Sequence, residues 1–108
     1  MRQHLSAAPY GAQLAAAVAA ALRKGGGLAY GHRDYCGTGL DYHNGTFRYG
    51  DVWDGGLAQP LHTFAEESAF VAWLAQQSDL VLARLNEKDA FYWNNQPLTR
   101  QRLEDFVR

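Results

Sequence analysis

"LDYHNGTFRYGDVWDGGLAQPLHTF", Leu40 to Phe64, is the stretch on which the fold turns. Asn44-Gly45 tolerates positive φ at both positions and signals a type I′ hairpin. Asp54-Gly55-Gly56 marks a second turn. Between the turns, Phe47, Tyr49, Asp51 and Trp53 fall on one face of a strand, with Arg48, Gly50 and Val52 on the other. Gly50 interrupts the alternation and suggests a bulge or an edge, and Pro60 makes "LAQPLHT" an edge strand. The stretch reads as an antiparallel meander.

Helices are expected on either side of it. Leu14, Val18 and Leu22 recur every fourth residue in an alanine-rich run, which predicts a helix over 12–24, approached at Ser6 or Pro9. Arg23 and Lys24 suit its negative end, and Gly25-Gly26-Gly27 stops it. "LAYGHRDY" (28–35) begins as a short apolar strand and becomes a polar loop. Thr63-Phe64-Ala65-Glu66 has the form of a capping box. The helix it would open, over 65–77, presents Ala69, Phe70, Trp73 and Leu74 to the core. Ser78-Asp79 ends that helix, and residues 80–85 suit a short helix or a strand equally. Asn94, Asn95 and Gln96 are turn and cap formers ahead of Pro97. Pro97 and Thr99 introduce a last helix carrying Leu103, Phe106 and Val107, with Phe91, Tyr92 and Trp93 as anchors. The expected fold is one α+β domain: a small antiparallel sheet of three to four strands with helices packed on one face.

Composition narrows the function. The chain has 108 residues, 47% hydrophobic and 13% aromatic, and a net charge of −1, so it is a globular domain with no general attraction for nucleic acid or anionic membranes. The charge is unevenly placed. Residues 1–33 hold four bases and no acid, whereas residues 34–79 hold seven acids and one base, Arg48. That block is either an ordinary solvated face or a surface matched to a basic partner. A single cysteine cannot form an internal disulfide, which fits the cytoplasm. "LAAAVAAAL" (14–22) is too short to span a bilayer and runs into Arg23-Lys24 instead of a cleavage site.

"YGHRDYCGTGLDYHNG" (Tyr30–Gly45) concentrates the reactive residue types. His32, Cys36 and His43, with His62 in reserve, offer zinc ligands but lack the close cysteine pairs of structural sites. Cys36 beside His32 or His43, oriented by Asp34 or Asp41, would compose a cysteine nucleophile, with Gly37 and Gly39 exposing backbone amides. This is the alternative reading: a small Cys-dependent enzyme centred on Cys36. "CGTGLD" lacks the third glycine of a dinucleotide loop, and its acids repel phosphate. The tyrosines have no basic patch beside them, which argues against nucleic acid. What remains is acidic, aromatic and glycine-rich, a composition suited to a protein interface. The candidate partner-binding residues are Asp34, Tyr35, Asp41, Tyr42, Asp51, Trp53 and Asp54.

"CGTGLDY", the Asp-Gly turn, "FVAWLAQQSDLVL" and "FYWNNQPLTRQRLEDF" together resemble small bacterial immunity proteins encoded beside polymorphic toxins of contact-dependent, Rhs or type VI systems. The resemblance covers roughly residues 28–108. It implies a cytoplasmic antitoxin that binds a cognate toxin domain, has no enzymatic activity, and needs no cofactor. It assigns no contact residue. A third reading is a scaffold that self-associates through its sheet edge.

Overall fold

The computed structural model describes residues 6–28, 36–53, 56–83 and 95–108. The elements run α1 (Ala12–Arg23), β1 (Gly27–Leu28), β2 (Cys36–His43), β3 (Thr46–Trp53), β4 (Gly56–Phe64), α2 (Glu67–Ala75), α3 (Asp79–Leu82), β5 (Asn95–Gln96) and α4 (Arg100–Val107). The fold is α+β, as the sequence predicts.

The meander forms the antiparallel order β1-β2-β3-β4. Asn44 and Gly45 join β2 to β3 with φ of 52° and 79°, the left-handed values a type I′ turn requires. Trp53 pairs with Gly56 across the next connection. β5 runs parallel to β2, opposite Cys36 and Gly37, on the same edge where β1 pairs with Asp41 and Leu40. One edge of β2 is therefore occupied by two dipeptides from distant parts of the chain.

The core lies on one face of the sheet. Leu40, Phe47 and Tyr49 project into it and meet Phe70 and Leu74 of α2, Ala15, Val18, Ala19 and Leu22 of α1, and Leu103 of α4. Phe47 stacks on Phe70 with centroids 4.8 Å apart and planes 10° apart. Burying a side chain such as Phe70 or Leu74 contributes about 1.5–3 kcal/mol. Alanines 15 and 19 bring α1 close to its neighbours; Phe106 and Val107 pack at the margin.

The opposite face is shaped by glycine. Gly39 and Gly50 stand directly across from each other on β2 and β3. A Cβ on Gly39 would lie 2.3 Å from the Leu28 carbonyl oxygen and 2.7 Å from Val52; one on Gly50 would lie 2.2 Å from the Gln59 carbonyl oxygen. Both flanking strands thus fold over the glycine pair, and Val52 is fully buried there. On β4 the register slips twice: Tyr49 pairs with His62 but Gly50 with Pro60, and Asp51 with Gln59 but Val52 with Leu57. Leu61 and Ala58 are the extra residues of two bulges, which fits the reading of Gly50 as a bulge site and of β4 as an edge.

Several local expectations change. Thr63 caps no helix, because it pairs with Arg48 in the sheet; α2 begins at Glu67, and Glu66 occupies its N-cap without a side-chain hydrogen bond. Ala69 is exposed, while Phe70 and Leu74 are buried and Trp73 half-buried. Ser78 starts a helix as well as ending one: its hydroxyl accepts from the Val81 amide and caps α3, which settles the first part of 80–85 as helix. Residues 84–85, Phe91, Tyr92, Trp93 and Asn94 lie outside the described residues. Asn95 and Gln96 form β5 instead of a turn, and Thr99 caps α4 by accepting from the Arg102 amide at 3.2 Å. Among the described residues, no helix is long and apolar enough to cross a membrane.

Candidate partner-binding site

A β-strand sends successive side chains to opposite faces. Asp41 and Tyr42, adjacent on β2, are separated in this way. Tyr42 pairs with Phe47 and packs on the helix-covered face, its ring 4.6 Å from that of Phe47. The Arg23 guanidinium sits 5.5 Å above the Tyr42 ring and donates to Glu67 at 2.6 Å. Tyr42 therefore joins α1, α2 and β2 as part of the framework.

Asp41 lies on the other face, directly across from Arg48. Arg48 Nε donates to Asp41 Oδ1 at 2.7 Å, and Nη2 donates to Oδ2. Each side chain is about a quarter exposed. The hydrogen bonds that Arg48 donates to Asp41 hold the guanidinium pKa above its ordinary value, with desolvation opposing and the carboxylate's charge assisting. A bidentate pair at this exposure contributes on the order of 1 kcal/mol. The only base of the acidic block is thus held by a neighbour within that block.

Asp51 shares the helix-side face of β3 with Tyr49 by alternation; it is half-buried and already engaged by other groups. Trp53 ends β3 with its backbone opposite Cys36. Asp34, Tyr35 and Asp54 lie outside the described residues. The seven candidates therefore do not all face one way: Asp41 is turned from Tyr42 and Asp51.

The strand also bears on Cys36. Cys36 and His43 stand at opposite ends of the eight-residue β2, about 23 Å apart at 3.3 Å per residue. Asp41 is about 16 Å from Cys36 by the same rise. Across the length of the strand His43 cannot pair with Cys36, with or without Asp41 to orient its imidazole; His32 and Asp34 lie outside the described residues. Among the described residues, no group of three His, Cys, Asp or Glu side chains could hold a metal ion.

Two polar centres escaped the sequence reading. Thr38, buried on β2, accepts the Leu98 amide on its hydroxyl at 3.0 Å, while its carbonyl oxygen accepts from Arg102. Arg102 also donates to the Pro97 carbonyl at 2.8 Å. The second centre is Asp79, one of the seven acids of the block. Its Oδ1 accepts from the Tyr10 hydroxyl at 3.0 Å and from the Arg100 amide at 2.7 Å. Arg100 in turn donates to the Pro9 carbonyl and lies over the Tyr10 ring. Asp79 is a latch between the segment before α1 and the start of α4. The glycines on both sides of Thr38 were the available signal for the first centre, since they mark close backbone approach; nothing local marks the second.

What β4 shows to solvent is a continuous run, Gln59 to Thr63, with Leu61 40% exposed at its bulge. His62 heads a group of rings, 5.4 Å from Trp73 and 6.0 Å from Tyr49. No family model matches the chain, and no curated protein or solved structure matches it.

Proposed function

We propose that this chain is an immunity protein: a non-catalytic cytoplasmic antitoxin that binds a cognate toxin domain and neutralises it. The reading rests on the resemblance described above and, physically, on the acidic block of residues 34–79. Arg48 is the only base in that block and is already bound by Asp41. Of the other acids, Glu67 draws its partner from α1 and Asp79 is occupied internally. An acidic surface of this kind complements a basic cleft, such as one that handles nucleic acid or nucleotides, and speeds encounter with it.

Asp34 and Asp54, with Tyr35 and Trp53 beside them in sequence, are the residues proposed to meet the toxin, and Asp51 adds to their charge. Asp41 and Tyr42 leave the contact set because their interactions hold the fold. The test is co-expression with the toxin domain encoded by a neighbouring gene. The pair should co-purify, and the double variant Asp34→Lys/Asp54→Lys should associate at least tenfold more slowly at low salt while keeping its thermal midpoint. Flanking genes without a toxin domain, or an unchanged association rate in the double variant, would overturn the proposal.

A further inference from the structure

We infer that both edges of the sheet are closed to strand addition, and that Pro60 is the residue that closes the β4 edge. This is independent of the toxin-binding reading. An exposed edge is a row of unpaired amides and carbonyls, and proteins that must avoid pairing there blunt it.

On the β2 side the outer strands are β1 and β5, two residues each, and edge strands this short offer little to pair with. β5 pairs at Cys36 and Gly37, β1 pairs at Leu40 and Asp41, and between them the Thr38 carbonyl is met by the Arg102 guanidinium at 3.3 Å.

The β4 edge is treated differently. A two-residue loop makes the flanking residues, His43 and Thr46, a hydrogen-bonded pair, and such pairs alternate along an antiparallel ladder. Thr46, Arg48, Gly50 and Val52 therefore bond to β2, whereas Phe47, Tyr49 and Asp51 bond to β4, through Phe64, His62 and Gln59. Pro60 stands opposite Gly50, at a position that does not bond to β3. Its nitrogen faces the free side. A proline there costs the sheet no hydrogen bond and deletes a donor from the open edge. The extra residues Ala58 and Leu61 twist the strand on either side of it. Gly50 leaves room for this, since its missing Cβ is where the Gln59 carbonyl and the Pro60 Cα pack.

The experiment restores the donor. Pro60→Val and the milder Pro60→Ala are followed by light scattering on a sizing column across a hundredfold range of protein concentration. Wild type should stay monomeric, and Pro60→Val should form dimers or larger species while retaining its circular dichroism. Adding Thr63→Lys, which sets like charges against each other on paired edges, should return Pro60→Val to monomer; non-specific aggregation would not respond in that way. If Pro60→Val fails to fold, Pro60→Ala carries the test with the same expectation. A folded Pro60 variant that remains monomeric, dimers that persist with Thr63→Lys, or a wild type that already pairs through β4, would each overturn the inference.

Discussion

A tyrosine hydroxyl that donates to a carboxylate inside a protein ties stability to pH at the alkaline end. Tyr10 is 4% exposed and donates to Asp79. Burial first, then the hydrogen bond and charge of Asp79, raise its pKa above the ordinary value of 10.0, with Arg100 opposing. At neutral pH both folded and unfolded chains keep the proton. Above about pH 10 the unfolded chain releases it and the folded chain does not, so stability falls by about 1.4 kcal/mol per pH unit. Tyr10→Phe should lose about 1 kcal/mol at neutral pH, the worth of the hydrogen bond, and should show a shallower alkaline decline. Urea midpoints measured between about pH 8 and 11 check both effects. Little of this was legible beforehand. Asp79 counts as one more acid in a charged block, and only the fold brings Tyr10, 69 positions away, against it. Asp41 and Tyr42 are the opposite case. Once β2 is read as a strand, neighbours must face opposite sides, and grouping them as one surface overlooked that alternation.

Among the elements, the glycine pair of β2 and β3 controls how far the outer strands can fold over the sheet. Gly39→Ala and Gly50→Ala would each drive a Cβ into a backbone carbonyl, at 2.3 and 2.2 Å, and backbone cannot swing aside as a side chain can. Each should cost about 1–3 kcal/mol, with Gly50→Ala also disturbing the β4 bulges. Gly27→Ala is the control, since its Cβ would meet nothing closer than 3.7 Å. Denaturant titration of the three variants measures the contrast. The hairpin was readable because Asn44-Gly45 carries its own turn chemistry, and the first helix because Leu14, Val18 and Leu22 keep a four-residue spacing within an alanine-rich run. The capping box failed for a physical reason: Thr63 has the right spacing from Glu66, but the ladder to Arg48 holds its backbone extended. β5 was invisible because two residues have no period to detect, and only the far strand makes Asn95-Gln96 a strand at all.

In the molecule as a whole, stability depends on the segment 95–108 returning to the β2 edge of the sheet and to the core beside it. Leu98 and Leu103 are fully buried, Thr38 holds the Leu98 amide, and Asp79 holds that of Arg100. Removing residues 95–108 should leave Thr38 and the α1–α2 core open and abolish cooperative unfolding, not merely lower the midpoint. Near-ultraviolet circular dichroism with a thermal melt decides this: a retained sharp transition in the truncated chain would show that the segment is an accessory.

The two dipeptides on the β2 edge also place the fold in time. β1 is made before β2 and β5 long after it, so a nascent chain carries a half-covered edge until Asn95 and Gln96 have been synthesised. Contacts between positions so far apart form late and slow the search for the native state. Completion of this edge therefore lags behind the translation of the strand it covers.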